Sequence, residues 1–431
     1  MCMSATITLK SRVLPIIVLF LIIAQLIDPY KGWMILLIGF GGAFLVSYLW
    51  VRSLADHIAI KREMRFGWIQ VGDRLEERFT LTNDGLFPGL WIEVHDRSTI
   101  PDYNPGRVAS VSAKEKTQWK TRGTCNRRGM FTLGPTELKT NDPFGFFELI
   151  IRDIASTSLM VMPPIVPLPD IDIAPGGRAG EGRPRQNAPE QTVSATSVRE
   201  YFPGDSLRWI HWPTSARKDD FFVRLFESTP SSDWWIALDL NQEVQVGQGY
   251  SSTEEHAVIF AASLADRGLQ LGHSIGLVAF GTHPIWVAPK EGNETRWELL
   301  RALALAEVGS RPLQALLRQI QFSISHNSSF ILITPDANTR WISSLLPFSW
   351  RGIVPTVIML DPNSYGKKAD MNSTIENLMK FGISHYVITA DLLDRPEARP
   401  GDAGKWEWRI SPTGRAIPVK TPGDMEWETL S

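Results

Sequence analysis

SVREYFPGDSLRWIHWPTSARKDDFFVRLFE, residues 197–227, is the stretch from which the rest of the chain is read. Tyr201-Phe202-Pro203-Gly204-Asp205 has the chemistry of a tight turn: proline presets φ, glycine accepts positive φ, and the aspartate bonds the amides that follow. Beyond it come Arg208, Trp209, Ile210, His211, Trp212, Ser215, Ala216 and Arg217, then an extended run over 221–226. Arg199, Arg208, Arg217 and Arg224 are interleaved with Glu200, Asp205, Asp219, Asp220 and Glu227. Two readings follow from that mixture. Guanidinium forks and indole N–H groups form a recognition site for an anion or a partner's carboxylate, or the arginines pair internally and the tryptophans anchor packing.

Composition bounds the rest. With 431 residues, 43% of them apolar and 21% charged, the chain has room for two or three folded domains. A net charge of −2 exerts no general pull on nucleic acid. Cys2 and Cys125 are the two cysteines, so neither a disulfide framework nor a cysteine metal site is available, which suits a reducing compartment. Sixteen tryptophans exceed average usage and read mostly as core or interface anchors.

Residues 1–66 read as a transmembrane hairpin and its connector. Two nearly charge-free apolar runs, about 13–28 and 33–51, are joined by a polar turn; the second is long enough to cross about 30 Å of hydrocarbon, and the first needs its flanks. Lys10 and Arg12 before the first run resemble a signal peptide's basic start, but no small-residue cleavage pattern follows and a second span comes at once. Lys10 and Arg12 precede the pair, Arg52, Lys61, Arg62 and Arg65 follow it, and Lys31 alone lies between. The positive-inside rule then expects a multi-pass protein of the cell membrane, with both termini and the soluble domains in the cytoplasm.

From 67 to 162 the pattern changes to short runs of period two. Leu90, Ile92 and Val94 alternate with Trp91, Glu93 and His95, and turn residues such as Asn83-Asp84-Gly85 and Gly134-Pro135 punctuate the runs. An antiparallel β-sandwich is expected. Asp142-Pro143-Phe144-Gly145 reads as a turn with a buried aromatic in preference to a binding loop. Prolines and glycines crowd 163–192, read as a linker; neither glycine pattern for a phosphate cradle is present there.

After the opening stretch, strands and helices alternate. Ser252 and Glu255 form a capping box for a helix that Gly268 closes, and buried-type strands recur at 234–240, 273–280, 329–334 and 354–360. A mostly parallel α/β sheet over 193–400 is expected, with any site at the carboxyl ends of its strands. Residues 401–431 read as a hairpin turning at 412–414, and a tail.

The pattern R-E-Y-x-P-G-D-x-x-R-x-I-x-W-x-x-S-A-R, running from Arg199 through Tyr201, Pro203, Gly204, Asp205, Arg208, Ile210, Trp212, Ser215 and Arg217, and followed by Val223, Arg224, Phe226 and Glu227, closely resembles the signature of the domain of unknown function 58 family. Residues 129–135 and 141–147 resemble the segment that precedes that signature. The strand order that follows is similar to a von Willebrand factor A-like, Rossmann-like domain. Such domains often carry Asp-x-Ser-x-Ser for a divalent ion; here the run is Asp239-Leu240-Asn241-Gln242-Glu243, with Asp336 at a later strand end. A modified Mg²⁺ or Mn²⁺ site and a site that has lost its metal are both open.

Among the eight histidines no zinc spacing occurs, and no nucleophile elbow is present. The expectation is a non-enzymatic, membrane-anchored protein-interaction scaffold. Family resemblance implies a MoxR-type AAA+ ATPase as partner, with a role in assembling or maturing other proteins. Two alternatives stand: a hydrolase using Asp205, His211 and the signature arginines, and a divalent-dependent adhesion module.

Overall fold

The computed structural model describes residues 3–64, 67–169, 171–174, 195–201, 210–218, 220–226, 233–325, 328–353, 355–392, 407–410, 416–420 and 428–429. Strand β1 (Met3–Leu9) leads into helices α1 (Val13–Ile27) and α2 (Lys31–His57). Uninterrupted apolar side chains favour the helices, and Pro29 stops the first because it has no N–H for the ladder. Phe20 and Trp33 meet edge to face at 6.4 Å, so the two helices lie against each other. Within the described residues α2 alone is long and apolar enough to cross a membrane. It runs on to His57, six residues past the apolar run, because Val51 and Leu54 are fully buried against strands.

Ten strands follow: β2 (Ile58–Met64), β3 (Trp68–Gln70), β4 (Arg74–Asn83), β5 (Gly89–Asp96), β6 (Arg107–Val111), β7 (Glu115–Thr124), β8 (Gly129–Leu133), β9 (Thr136–Asn141), β10 (Phe147–Asp153) and β11 (Thr157–Met162). They form sheets ordered β1-β10-β9-β5-β6, β2-β4-β7 and β3-β11-β8. Phe79, Leu81, Ile92, Val94, Leu138 and Leu149 from the first two sheets meet in one core with Val51 and Leu54. Leu90 departs from its expected inward position and is 56% exposed, because a register shift between Gly89 and Ile92 turns it to solvent. Arg62, counted above toward charge asymmetry, is buried: its guanidinium bonds Glu77 at 2.6 Å and Asp96 at 2.7 Å. Burial opposes its charge, but Glu77 and Asp96 hold its pKa above the ordinary value.

The residues after β11 do not leave the fold. Val166 N–H donates to Ser263 Oγ at 3.0 Å, Ala174 N–H donates to Thr356 Oγ1 at 3.0 Å, and Val166 and Ile171 are buried. Residues 163–169 and 171–174 of the expected 163–192 linker therefore form a strap across the next sheet, and the rest of that linker lies outside the described residues. The strap's prolines suit that extended course, since they give up no ladder hydrogen bond.

β12 (Ala195–Glu200) pairs antiparallel with β13 (Phe222–Phe226), and the short helix α3 (Trp212–Lys218) lies between them in sequence. The α/β layer then comprises β14 (Trp234–Leu238), α4 (Thr253–Gln270), β15 (Ile275–Phe280), β16 (Pro284–Lys290), α5 (Asn293–Ala304), α6 (Leu313–Ile320), β17 (Ser329–Thr334), α7 (Leu346–Trp350), β18 (Pro355–Leu360), α8 (Asn372–Lys380) and β19 (Ser384–Ile388). The sheet order is β16-β15-β14-β17-β18-β19, parallel except for β16. Ser252 Oγ accepts from Glu255 N–H at 3.2 Å, as the capping box expects. Gly268 does not close α4 but lies inside it, where a Cβ would come within 2.5 Å of Ile275 and 2.8 Å of Trp234. β20 (Glu407–Ile410) and β21 (Ala416–Lys420) pair antiparallel; the turn expected at 412–414 lies outside the described residues. β22 (Glu428–Thr429) adds to the β2 edge.

One side chain ties the β sheets to the α/β layer. Arg128, 6% exposed, donates to Glu254 at 2.8 Å, contacts the Glu255 carboxylate, and donates to the carbonyls of Leu303 at 3.2 Å and Ala306 at 2.5 Å. Removing it strands two carboxylates and two carbonyls. Arg128→Ala is expected to cost about 3 kcal/mol of stability, measured by urea denaturation of the full chain. A cost below about 1 kcal/mol would show that the clamp is not structural.

Candidate functional site

Two places gather the residues singled out by sequence. The first is the signature ribbon. His211 N–H donates to Phe222 C=O at 2.7 Å, and Tyr201 N–H donates to Phe221 C=O at 2.7 Å. The His211 ring spends Nδ1 on Thr214 Oγ1 at 2.7 Å, at the start of α3. Ser215 Oγ, buried, accepts from Phe222 N–H at 2.9 Å, while the Lys218 ammonium sits over the Phe222 ring at 5.1 Å. These contacts pin His211, Ser215 and Lys218 to the start of β13. On the outside, Trp212 is 63% and Phe221 54% exposed, and Phe221 takes edge contacts from Tyr201 at 6.3 Å and Trp212 at 6.5 Å. The ribbon thus holds three aromatic rings together with solvent over them.

Glu200 and Arg217 are described and exposed. Arg199 stands opposite Val223, and Arg224 opposite Val198, in the ladder. Pro203, Gly204, Asp205, Arg208 and Glu227 lie outside the described residues, as do the side chains of Arg199 and Arg224.

The second place is a cleft of about 420 Å³ lined by Glu243, Asp336, Asn338, Lys367, Asp370 and Ser373. It lies at the carboxyl ends of β14, β17 and β18, where the strand order reverses about β14, the expected position for a site in an open α/β sheet. Asp239 is buried beneath it. Its Oδ2 accepts from Thr334 Oγ1 at 2.6 Å and its Oδ1 from Asn241 N–H at 3.1 Å. Asn241 Oδ1 accepts from Glu243 N–H at 3.2 Å, and Asp336 Oδ1 accepts from Asn338 N–H and Nδ2 at 2.9 Å each. Glu243 and Asp336 line the cleft, and the Asp336 charge acts on Asp239 beneath it. Both Asp239 oxygens, Asn241 Oδ1 and Asp336 Oδ1 accept hydrogen bonds, and among the described residues no group of three His, Cys, Asp or Glu side chains is placed to hold a metal ion.

Sequence reading did not reach Asn338, Lys367, Asp370 or Ser373. The signal lay in the loops after later strands, which only the sheet order makes neighbours of Asp239.

Burial pushes the Asp239 carboxyl up to about 6, with the Asp336 charge adding to it and the Thr334 and Asn241 bonds opposing. A carboxyl raised on folding keeps its proton in the folded state to higher pH than in the unfolded chain. Its contribution therefore weakens the fold progressively as pH rises from the ordinary 3.8 to about 6, and the full cost stands above that window. Asp239→Asn is expected to flatten the stability profile there, by up to about 3 kcal/mol across the window. Urea midpoints of the two proteins compared through that range check it, and parallel profiles would refute it.

Residues 197–329 match the family model described as "Protein of unknown function DUF58". The chain is also 30% identical over 278 residues to the uncharacterized protein YeaD of Bacillus subtilis (strain 168), covering 61% of this chain and 67% of that one. It belongs to the DUF58 family. Solved structures similar over parts of it include the von Willebrand factor A domain of SpRpn10, at 10% identity and a TM-score of 0.28, covering 38% of this chain and 95% of that one. Another is the CARDB domain of the PF1109 protein from Pyrococcus furiosus, at 12% identity and a TM-score of 0.19, covering 25% and 90%.

Proposed function

We propose that this is a membrane-anchored scaffold that holds a protein-docking ribbon at the cytoplasmic face of the membrane. The observation that carries the anchor is the placement of the strands on either side of the helix pair. β1 precedes α1 and pairs with β10; β2 follows α2 and pairs with β4. Ile7 and Ile58 belong to the same core. A bilayer crossed by α2 alone would put β1 and β2 on opposite sides, so both helices cross or neither does. α2 has the length to cross, and Lys10, Arg12, Arg52 and Lys61 flank the pair against Lys31 between, which favours a cytoplasmic location for the sheets.

For docking, the support is the Tyr201, Phe221 and Trp212 cluster. Exposed aromatics fixed by backbone pairing lose little entropy on binding and serve as anchor residues. The partner implied by family resemblance is a MoxR-type AAA+ ATPase, with the scaffold presenting proteins that it assembles or matures. Trp212→Ala is expected to weaken capture of that ATPase at least about tenfold in a membrane pull-down, with an unchanged melting temperature because the ring is exposed. Full capture by the variant, or no ATPase captured by the parent protein, would sink the reading.

A further inference from the structure

Asp142-Pro143-Phe144-Gly145 is a turn, as its residues predict, but its aromatic is not buried: Phe144 is 59% exposed. Asp142 ties it closed, its Oδ2 accepting from Phe144 N–H at 2.9 Å and its Oδ1 from Phe147 N–H at 2.6 Å. Gly145 takes φ +73°, which a side-chain-bearing residue avoids. Phe147 is the buried ring; Phe144 points outward, 59% exposed, and stacks on Phe146 at 5.8 Å.

Its neighbours show where this turn sits. The Phe146 carbonyl accepts Lys10 N–H at 2.8 Å and Ser11 N–H at 3.4 Å, immediately before α1 begins. Phe147 packs on Phe44 at 5.2 Å and Tyr48 at 5.8 Å, both on α2. At that same level of α2, Leu45, Val46 and Leu49 are 57%, 45% and 47% exposed, so the apolar outer face of the helix continues past the turn. α1 offers about 22 Å of helix against about 30 Å of hydrocarbon. A short span draws its flanks toward the bilayer. Here the flank is Lys10 and Ser11, whose amides bond Phe146.

We propose that the 142–147 turn is a second, non-helical membrane contact, with Phe144 and Phe146 seated at the boundary between lipid headgroups and acyl chains. The occupant is the bilayer itself. Phenyl rings on an apolar face bury at the boundary of headgroups and acyl chains, exposed Lys10 and Arg12 beside the turn suit its phosphates, and the Asp142 carboxylate satisfies the Phe144 and Phe147 amides. The consequence is orientation: the helices hold the β sheets to the membrane, and the turn stops them from swivelling about that stem.

This inference rests on the spanning reading, and its test separates the two. Phe144→Cys, Ile38→Cys on the exposed face of α2 and Trp350→Cys on the α/β layer are each made with Cys2→Ser, in the full chain. Cys125 is buried, and burial pushes its thiol up to about 12, so it does not react. Each cysteine carries an environment-sensitive fluorophore, and the protein is placed in liposomes containing a nitroxide either near the headgroup or near the acyl-chain end. The label at 144 is expected to lose roughly half of its emission to the headgroup-side nitroxide and less to the deep one. The label at 38 should be quenched most by the deep nitroxide, and that at 350 by neither. If 144 behaves like 350 while 38 is quenched, the turn is not a membrane contact, and a protein partner would be its cover. If 38 is not quenched either, the spanning reading falls with it.

Discussion

The guanidinium of Arg128 is the constraint that joins the β sheets to the α/β layer. It reaches out of the strand region, enters the junction between α4 and α5, and there meets two carboxylates and two carbonyls. Arginine suits this place because five donors in a fixed plane satisfy several acceptors at once, and its charge survives burial. Burial raises the Glu255 carboxyl above its ordinary range, and Arg128 opposes that rise. Around this clamp Trp68 meets Trp297 at 4.5 Å, and Met162 joins the α/β core. Sheets that read as separate units in the sequence thus share an interface.

The same economy governs the strap over 163–174. A parallel sheet must be covered on both faces. On one, α6, α7 and α8 supply Leu316, Leu317, Phe348 and Leu378. On the other, α4 and α5 cover only part of the width, and Val166 and Ile171 join Ile358, Leu360 and Ile388 over the remainder. Proline spacing that says "connector" in isolation is equally the spacing of an extended chain laid on a sheet. No local rule separates the two, because the difference lies in what is underneath.

In the cleft, the retained Asp239 and the nearby Asn241 and Glu243 were legible from one run of sequence, and Asp336 from the end of a later strand. Their hydrogen bonds were not. Thr334 turns its hydroxyl onto Asp239, and Asn338 closes on Asp336, so the carboxylates that spacing offers as ligands also hold loops. In the signature, the run Tyr201 to Val223 announced an aromatic, charged element. The pairing of β12 with β13 buries Phe222 and leaves Phe221 outside, while Trp212 is exposed on α3.

By itself the sequence determined the family, the two apolar helices, the change from period two to alternating strand and helix, and most strand positions in the α/β layer, because each is written in local periodicity and turn chemistry. It did not reveal β1, whose partner lies over a hundred residues away in β10, nor the burial of Arg62, nor the reach of Arg128. Those were decided by tertiary structure alone, since a strand edge or a buried charge is stabilised by whatever folds against it, and that neighbour is set by topology.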